Sequence, residues 1–290
     1  MNKPTWLEKI LLQEDLNFLL TNRVPRIALT RFMGWFSRIQ IPWLTRLSIA
    51  VWRLFTPLDL SEARQLRFDS LHACFTRELK PGARTFKPQP DVICSPCDAI
   101  VGACGVVDGT DILQAKGFPY PVRELLQSEA LAHTMQGGQY VTLRLTSAMY
   151  HRFHAPHDLV VDRVTYLSGD TWNVNPIALK RVERLFCRNE RAVIETRLSA
   201  FGDAPLVLVP VAAILVASIR LHCLDVLLHL RWPGPKVMRC HVPHAKGQEM
   251  GWFEHGSTII VFVPPGFELA QGVATGQRLR AGEALLRCSN

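Results

Sequence analysis

Beyond about residue 80 the chain falls into short runs rich in Val, Ile and Leu, among them Val141–Leu145, Leu159–Tyr166, Ala192–Arg197 and Thr258–Val263, separated by Pro, Gly and Asp. β-Branched runs of that length, cut by turn-forming residues, specify strands, so the body of the protein is β structure. Upstream the pattern reads as helical to about Lys80. Pro81–Pro90, with prolines at 81, 88 and 90, reads as the connection between the two parts. The expected fold class is α+β: N-terminal helices in residues 1–80, packed on a mostly antiparallel, β-rich body in residues 81–290.

The longest apolar run, Ala204 to Ile219, spans roughly 16 residues and carries Pro205 and Pro210, whereas a membrane-spanning helix needs roughly 20. It reads as buried strand. Apolar residues at 48% and charged residues at 20% are the balance of a globular protein and exclude a disordered tail or a collagen-like chain. The 33 Lys and Arg against 25 Asp and Glu, a formal net charge of +8, favour an anionic partner: nucleic acid, acidic lipid or a phosphorylated ligand.

The excess is local. Arg23, Arg26, Arg31, Arg38, Arg46 and Arg53 fall in residues 23–53 without a carboxylate, interleaved with Phe32, Trp35, Phe36, Trp43 and Trp52. Arg31 and Arg38 are seven apart, as are Arg46 and Arg53, so each pair shares one side of a helix, with Pro42 separating two short helices. Two readings stay open on this pattern: an anchor lying in the membrane interface, or a helical pair packed on the core with a solvated basic face.

Eight cysteines are scattered without the spacing of a secreted disulfide framework, and no signal peptide with a cleavage site is expected, which favours the cytosolic side. Cys94 and Cys97 form a CxxC without the second pair of a zinc site.

Three stretches carry candidate chemistry. Asp98 follows the turn Ser95-Pro96-Cys97, where the bland alternative is a turn-capping aspartate. His151, His154 and His157 lie within seven residues, but the helical HExxH pattern of a zinc protease is absent, and the pair His151 and His154 equally suits general acid–base work. Lys246–Gly251 is followed by Gly256-Ser257-Thr258 and an apolar strand. A Ser after Gly suggests a nucleophile on tight backbone, although the Gly-x-Ser-x-Gly elbow of the hydrolases is not present.

Ser95–Asp98, the run Ile112-Leu-Gln-Ala-Lys-Gly117, Tyr150-His-Arg-Phe-His154, the run Leu185-Phe-Cys-Arg-Asn-Glu-Arg191 and Lys246–Thr258 together resemble, in order and spacing, the blocks of the bacterial phosphatidylserine decarboxylases. The resemblance spans nearly the whole chain and includes the Trp- and Arg-rich N-terminus, similar to that family's membrane-associating region. It implies a proenzyme that cuts itself between Gly256 and Ser257, giving a β chain of residues 1–256 and an α chain of residues 257–290. Ser257 would become a covalent pyruvoyl group, with neither metal nor pyridoxal phosphate, and its ketone would accept electrons as the substrate carboxylate leaves as CO2. By similarity Asp98 and His154 form the relay that activates Ser257, and His151 assists decarboxylation and reprotonation.

The implied substrate is phosphatidylserine, the product phosphatidylethanolamine. The implied setting is peripheral, on the cytoplasmic face of the cell membrane against anionic lipid, as a homodimer or larger assembly that takes no nucleic acid. Three positions depart from the family pattern: His255 stands where Leu is usual, Met149 where an acidic residue commonly precedes the Tyr-His pair, and Ala99 where Gly is common. An uncleaved Ser-His-Asp hydrolase or acyltransferase, and a non-catalytic lipid-binding relative, are the rival readings; chain integrity separates both from a decarboxylase.

Overall fold

A computed structural model describes residues 14–109, 111–114, 118–215, 218–229, 232–254 and 257–289. The N-terminal helices are α1 (Glu14–Asn22), α2 (Arg26–Phe36) and α3 (Pro42–Phe55). Pro25 precedes α2 and Pro42 opens α3, a position where the missing N–H costs no helical hydrogen bond, so the break expected at Pro42 is present. Helix does not run on to Lys80. Thr56 is extended, as the residue before Pro57 must be, and the Asp59 carboxylate accepts from Ser61 N at 2.8 Å in a turn that competes with helix. Helix resumes only as α4 (Leu71–Phe75), capped by the Ser70 side chain.

The body opens with β1 (Val92–Cys94), β2 (Ala99–Val106), β3 (Asp111–Gln114) and β4 (Phe118–Pro121), then α5 (Val122–Leu126) and α6 (Glu129–Thr134). β5 (Gln139–Leu145), β6 (Arg152–His154) and β7 (Leu159–Leu167) follow, then α7 (Pro176–Arg181) and α8 (Leu185–Arg188). The remaining strands are β8 (Arg191–Leu198), β9 (Ala204–Ala212), β10 (Ser218–Leu221), β11 (Val226–His229), β12 (Val237–His244), β13 (Glu249–Phe253), β14 (Ser257–Val263), β15 (Phe267–Leu269), β16 (Arg278–Leu279) and β17 (Ala284–Cys288).

An eight-stranded sheet in the order β12-β7-β8-β9-β14-β5-β2-β16 dominates, and every neighbouring pair in it is antiparallel. A four-stranded sheet, β11-β10-β13-β6, and a three-stranded one, β1-β17-β15, accompany it. The Ala204–Ile219 run is indeed extended but divides: β9 joins the large sheet, the chain turns at Leu215 with a φ of +67°, and β10 enters the four-stranded sheet.

β14 lies between β9 and β5, and every one of its residues is buried. Alternation sends Ile259, Val261 and Val263 into one core with Val101, Leu143 and Leu208, and Ile260 and Phe262 into a second with Tyr120, Leu125 and Phe186. Burial on both faces is why this strand reads as an unbroken apolar run.

Candidate active site

The turn at residues 95–98 is pinned on both sides. Ser95 Oγ donates to Cys97 O at 2.8 Å, and the His154 backbone N–H donates to Pro96 O at 2.8 Å, which ties β6 to the turn. Asp98, 9% exposed, accepts from Arg84 Nε at 2.7 Å, from Arg84 Nη2, and from Ala281 N at 2.9 Å. Arg84 also reaches Glu62 at 2.9 Å, so the carboxylate is held in a fixed orientation rather than left to cap its own turn.

His154 is gripped at both ring nitrogens: Nδ1 donates to Gly247 O across 3.0 Å, and Tyr150 Oη donates to Nε2 across 3.1 Å. Burial pushes its pKa below the ordinary histidine value, while the Gly247 carbonyl and the charges of Glu249 and Asp98 favour the protonated form. The imidazole is therefore neutral, with its lone pair on Nε2. Gly247 is required for this grip: it has a φ of +84°, and a Cβ there would lie 2.9 Å from the Phe86 ring. A Cβ on Gly251 would meet Arg220 O at 1.9 Å, so the second glycine of the Lys246–Gly251 block lets β13 pair with β10.

His151 is fully buried against α4, its ring 4.1 Å from the Phe75 ring between centroids, and its Nδ1 donates to Met149 O at 2.8 Å. At the position where the family commonly has an acid, Met149 thus orients His151 through its backbone carbonyl. The two histidines sit in separate surroundings, His151 against Phe75 of α4 and His154 between Gly247 and Tyr150.

Ser257 opens β14, paired with Ala212 on β9 and Leu145 on β5. It is fully buried, and its Oγ has no hydrogen-bond partner among the described residues. Thr258 pairs with Arg144, which pairs with Ile100. By that register Asp98 stands two strands from Ser257, roughly 10 Å across the sheet at about 4.8 Å per strand. Among the described residues no hydrogen bond links Asp98, His154 and Ser257 to one another: the turn and β6 hold the first two close, and the sheet sets the third two strands away. His255 and Gly256 lie outside the described residues, as do Ala115, Lys116 and Gly117 of the second block.

Groups that the sequence did not single out support this arrangement. Arg84 belongs to the segment read as a connection. Glu254, at the last position described before the Gly256–Ser257 bond, accepts from Arg38 at 2.7 Å, His72 Nε2 at 2.9 Å and Ser218 Oγ at 2.5 Å; burial opposes its ionisation, but these partners hold its pKa at about 2. In the fourth block, Asn189 Nδ2 donates to Ala212 O at 2.8 Å, and the Arg191 guanidinium donates to the carbonyls of Glu124, Leu125, Cys187 and Asn189. That block braces the strand beside Ser257. Between its two members Glu190 is buried, and burial pushes its carboxyl up to about 8 despite the Tyr166 hydroxyl at 2.8 Å. Cys94 and Cys97 are both buried, and burial raises their thiol pKa values.

The profile of the phosphatidylserine decarboxylase family matches residues 71–287, and a second profile, described as PSD, matches residues 16–51. The chain is 36% identical over 275 residues to the phosphatidylserine decarboxylase proenzyme of Brevibacillus brevis, covering 92% of this chain and 95% of that one. It is 37% identical over 273 residues to the proenzyme of the same name from Anaeromyxobacter sp. (strain K), with coverage of 90% and 94%. The one from Haemophilus influenzae is 34% identical over 271 residues, with coverage of 90% and 92%.

Proposed function

The chain belongs to the phosphatidylserine decarboxylase family, and from that premise we propose how its residues divide the work. The protein is a phosphatidylserine decarboxylase proenzyme, a carboxy-lyase of the class that carries a pyruvoyl group.

Ser257 is the source of that group, and its fit is carried by one observation: a buried hydroxyl without a partner among the described residues, on the first residue of a strand locked from both sides. His154 takes the Ser257 proton on Nε2, exchanging its Tyr150 hydrogen bond for one to the serine; Asp98 favours the imidazolium so formed. Ser257 Oγ then attacks the Gly256 carbonyl, and the acyl group passes from nitrogen to oxygen. Loss of the Ser257 Cα proton expels the Gly256 carboxylate and leaves dehydroalanine. Its hydrolysis releases ammonia and yields the pyruvoyl end of the α chain, residues 257–290, beside the β chain, residues 1–256.

The finished pyruvoyl group supplies a ketone that binds the substrate amine and withdraws electrons from the breaking bond. His151, oriented by the Met149 carbonyl, serves the decarboxylation step and returns a proton to the α-carbon. Among the described residues no helix is long and apolar enough to cross a membrane, and α2 and α3 expose Phe32, Trp35, Trp43, Leu47, Leu54 and Phe55 beside Arg31, Arg46 and Arg53. This supports peripheral attachment by those helices to the anionic leaflet that holds the substrate.

An intact-mass measurement tests the reading. The wild-type chain is expected as two pieces divided at Gly256/Ser257, the smaller lighter by one ammonia than a Ser-initiated fragment. Ser257→Ala is expected whole, and His151→Ala divided like wild type. A wild-type chain that stays whole on incubation would favour the hydrolase reading instead.

A further inference from the structure

The role proposed for His151 requires it to touch the substrate, yet its side chain is fully buried. Phe75 of α4, buried as well, lies over the ring at 4.1 Å between centroids. Behind Phe75 stands Trp52 of α3, stacked on it at 5.6 Å with 17° between the ring planes. The stack Trp52–Phe75–His151 therefore leads inward from a helix whose outer face exposes Trp43, Leu47 and Leu54.

Helix α4 is placed to move with α3. Its Cys74 packs with Ile49 and Trp52 of α3 in a small cluster separate from the two cores that flank β14. The start of α4 is tied to the helices before it: the His72 N–H donates to Ser37 O at 2.7 Å, just past α2, and the Thr45 hydroxyl of α3 donates to Asp69 O at 3.1 Å. Its end is tied to the chain around His151. Arg77 Nη2 donates to Ala148 O at 3.0 Å and to Met149 O at 3.3 Å, and Arg152 Nε donates to Thr76 O at 3.0 Å. A helix of five residues strung between these two sets of ties passes a shift of α2 and α3 on to the cover of His151.

The surroundings decide which position of α4 is stable. In water, lifting it would bare the Phe75 ring and the inner face of Trp52, so the hydrophobic effect holds it shut. Against acyl chains the same apolar surface is not driven back into the protein, and lipid favours the lifted position in proportion to the area uncovered.

We infer that Phe75 is a specificity-determining residue: it shuts His151 off from water and gives way, with α4, when α2 and α3 rest on a bilayer, so that the serine head group is admitted from lipid and not from solution. The inference rests on the roles proposed above for His151 and for α2 and α3.

The test uses full chains of wild type and Phe75→Ala, first checked by intact mass for division at Gly256/Ser257. Each is treated with diethyl pyrocarbonate, a small reagent that modifies accessible imidazole and enters bilayers. The treatment is made with and without vesicles of equimolar phosphatidylglycerol and phosphatidylcholine, which contain no substrate. Peptide masses report His151, with His133, exposed on α6, as the reference. In wild type, modification of His151 relative to His133 should rise about tenfold or more on vesicles, and in F75A it should be high without them. F75A should also narrow the preference in kcat/KM for vesicle-borne phosphatidylserine over water-soluble glycerophosphoserine by about tenfold. A wild-type His151 modified equally without vesicles would overturn the inference, as would one still protected on vesicles that sediment with the protein. An unchanged kcat/KM preference in F75A would overturn it equally. Should F75A fail to fold, Phe75→Leu decides by the same two readings. A wild-type protein that does not sediment with the vesicles would instead defeat attachment by α2 and α3, and wild-type turnover in His151→Ala would defeat the role of His151; either removes the premise and the inference with it.

Discussion

At the scale of single residues, the site is a set of groups each held in one orientation by its neighbours. His154 is the clearest case. Its pKa lies below the ordinary histidine value chiefly through burial, so the lone pair on Nε2 persists as pH falls through 6.5, the ordinary value. Serving as the base of self-cleavage, as proposed, His154 should keep the rate flat from alkaline pH to below 6.5 and let it fall only on the acid side. Tyr150 donates to that lone pair and stabilises the neutral ring; Tyr150→Phe removes the donor and should move the acid limb upward, by about one pH unit, with cleavage retained on the alkaline side. Cleavage followed by gel or mass from mildly acidic to mildly alkaline pH checks this. A Y150F profile superimposable on wild type would show that the hydroxyl does not tune the imidazole. Sequence carried Asp98, His154 and Ser257 through their blocks, but not Arg84, whose grip on Asp98 depends on a turn that folds a Pro- and Gly-marked segment back over the sheet.

At the scale of elements, Glu254 ties together four pieces of chain. It follows directly on β13, and its carboxylate gathers Arg38 from beyond α2, His72 from α4 and Ser218 from β10. The residue thereby sets where the chain leaves the four-stranded sheet before entering β14. Replacement Glu254→Gln keeps the shape and removes the charge; self-cleavage should slow by about tenfold, on the scale of one charge-assisted hydrogen bond. The pH dependence has a definite sign. The folded pKa of about 2 lies below the ordinary glutamate value of 4.5, so the stabilisation is complete above that value and is lost as pH falls toward 2. The melting-temperature gap between wild type and E254Q should accordingly be constant near neutrality and close in acid. A gap that persists unchanged at about pH 3 would refute the ionic origin. The elements themselves were legible to different degrees. β14 was plain, because burial on both faces leaves only apolar residues, whereas residues 56–70 look helical in composition and are kept irregular by Pro57 and the Asp59 turn. The Ala204–Ile219 run gave the extended conformation but not its division between two sheets, since that depends on a left-handed turn at Leu215 that no glycine announces.

At the scale of the whole molecule, the net charge of +8 is drawn in part from arginines of α2 and α3, the same helices that carry the exposed aromatics. Trp35 is 63% exposed, Trp43 66% and Leu54 80%, a cost in water that a lipid interface removes. The basic-aromatic pattern was visible in sequence; which side chains point outward was not, because two short helices can roll to bury either face until the core fixes their orientation. Here Thr30 and Thr45 are the buried residues of α2 and α3, and the Thr45 hydroxyl donates to Asp69 O at 3.1 Å, so the aromatic faces are turned away from the body. If α2 and α3 attach the protein to lipid as proposed, removing two exposed tryptophans, Trp35→Ser with Trp43→Ser, should lower the ratio of turnover on anionic vesicles to turnover on dispersed short-chain substrate by about tenfold or more. Arginine contributions to the same ratio should weaken with salt, because surface charges are screened beyond about 8–10 Å at physiological ionic strength, while the aromatic contribution should not. A vesicle-to-dispersed ratio equal to that of wild type in the double variant, at both low and high salt, would mean that α2 and α3 do not carry the enzyme to its substrate, and that the basic surface serves some other contact.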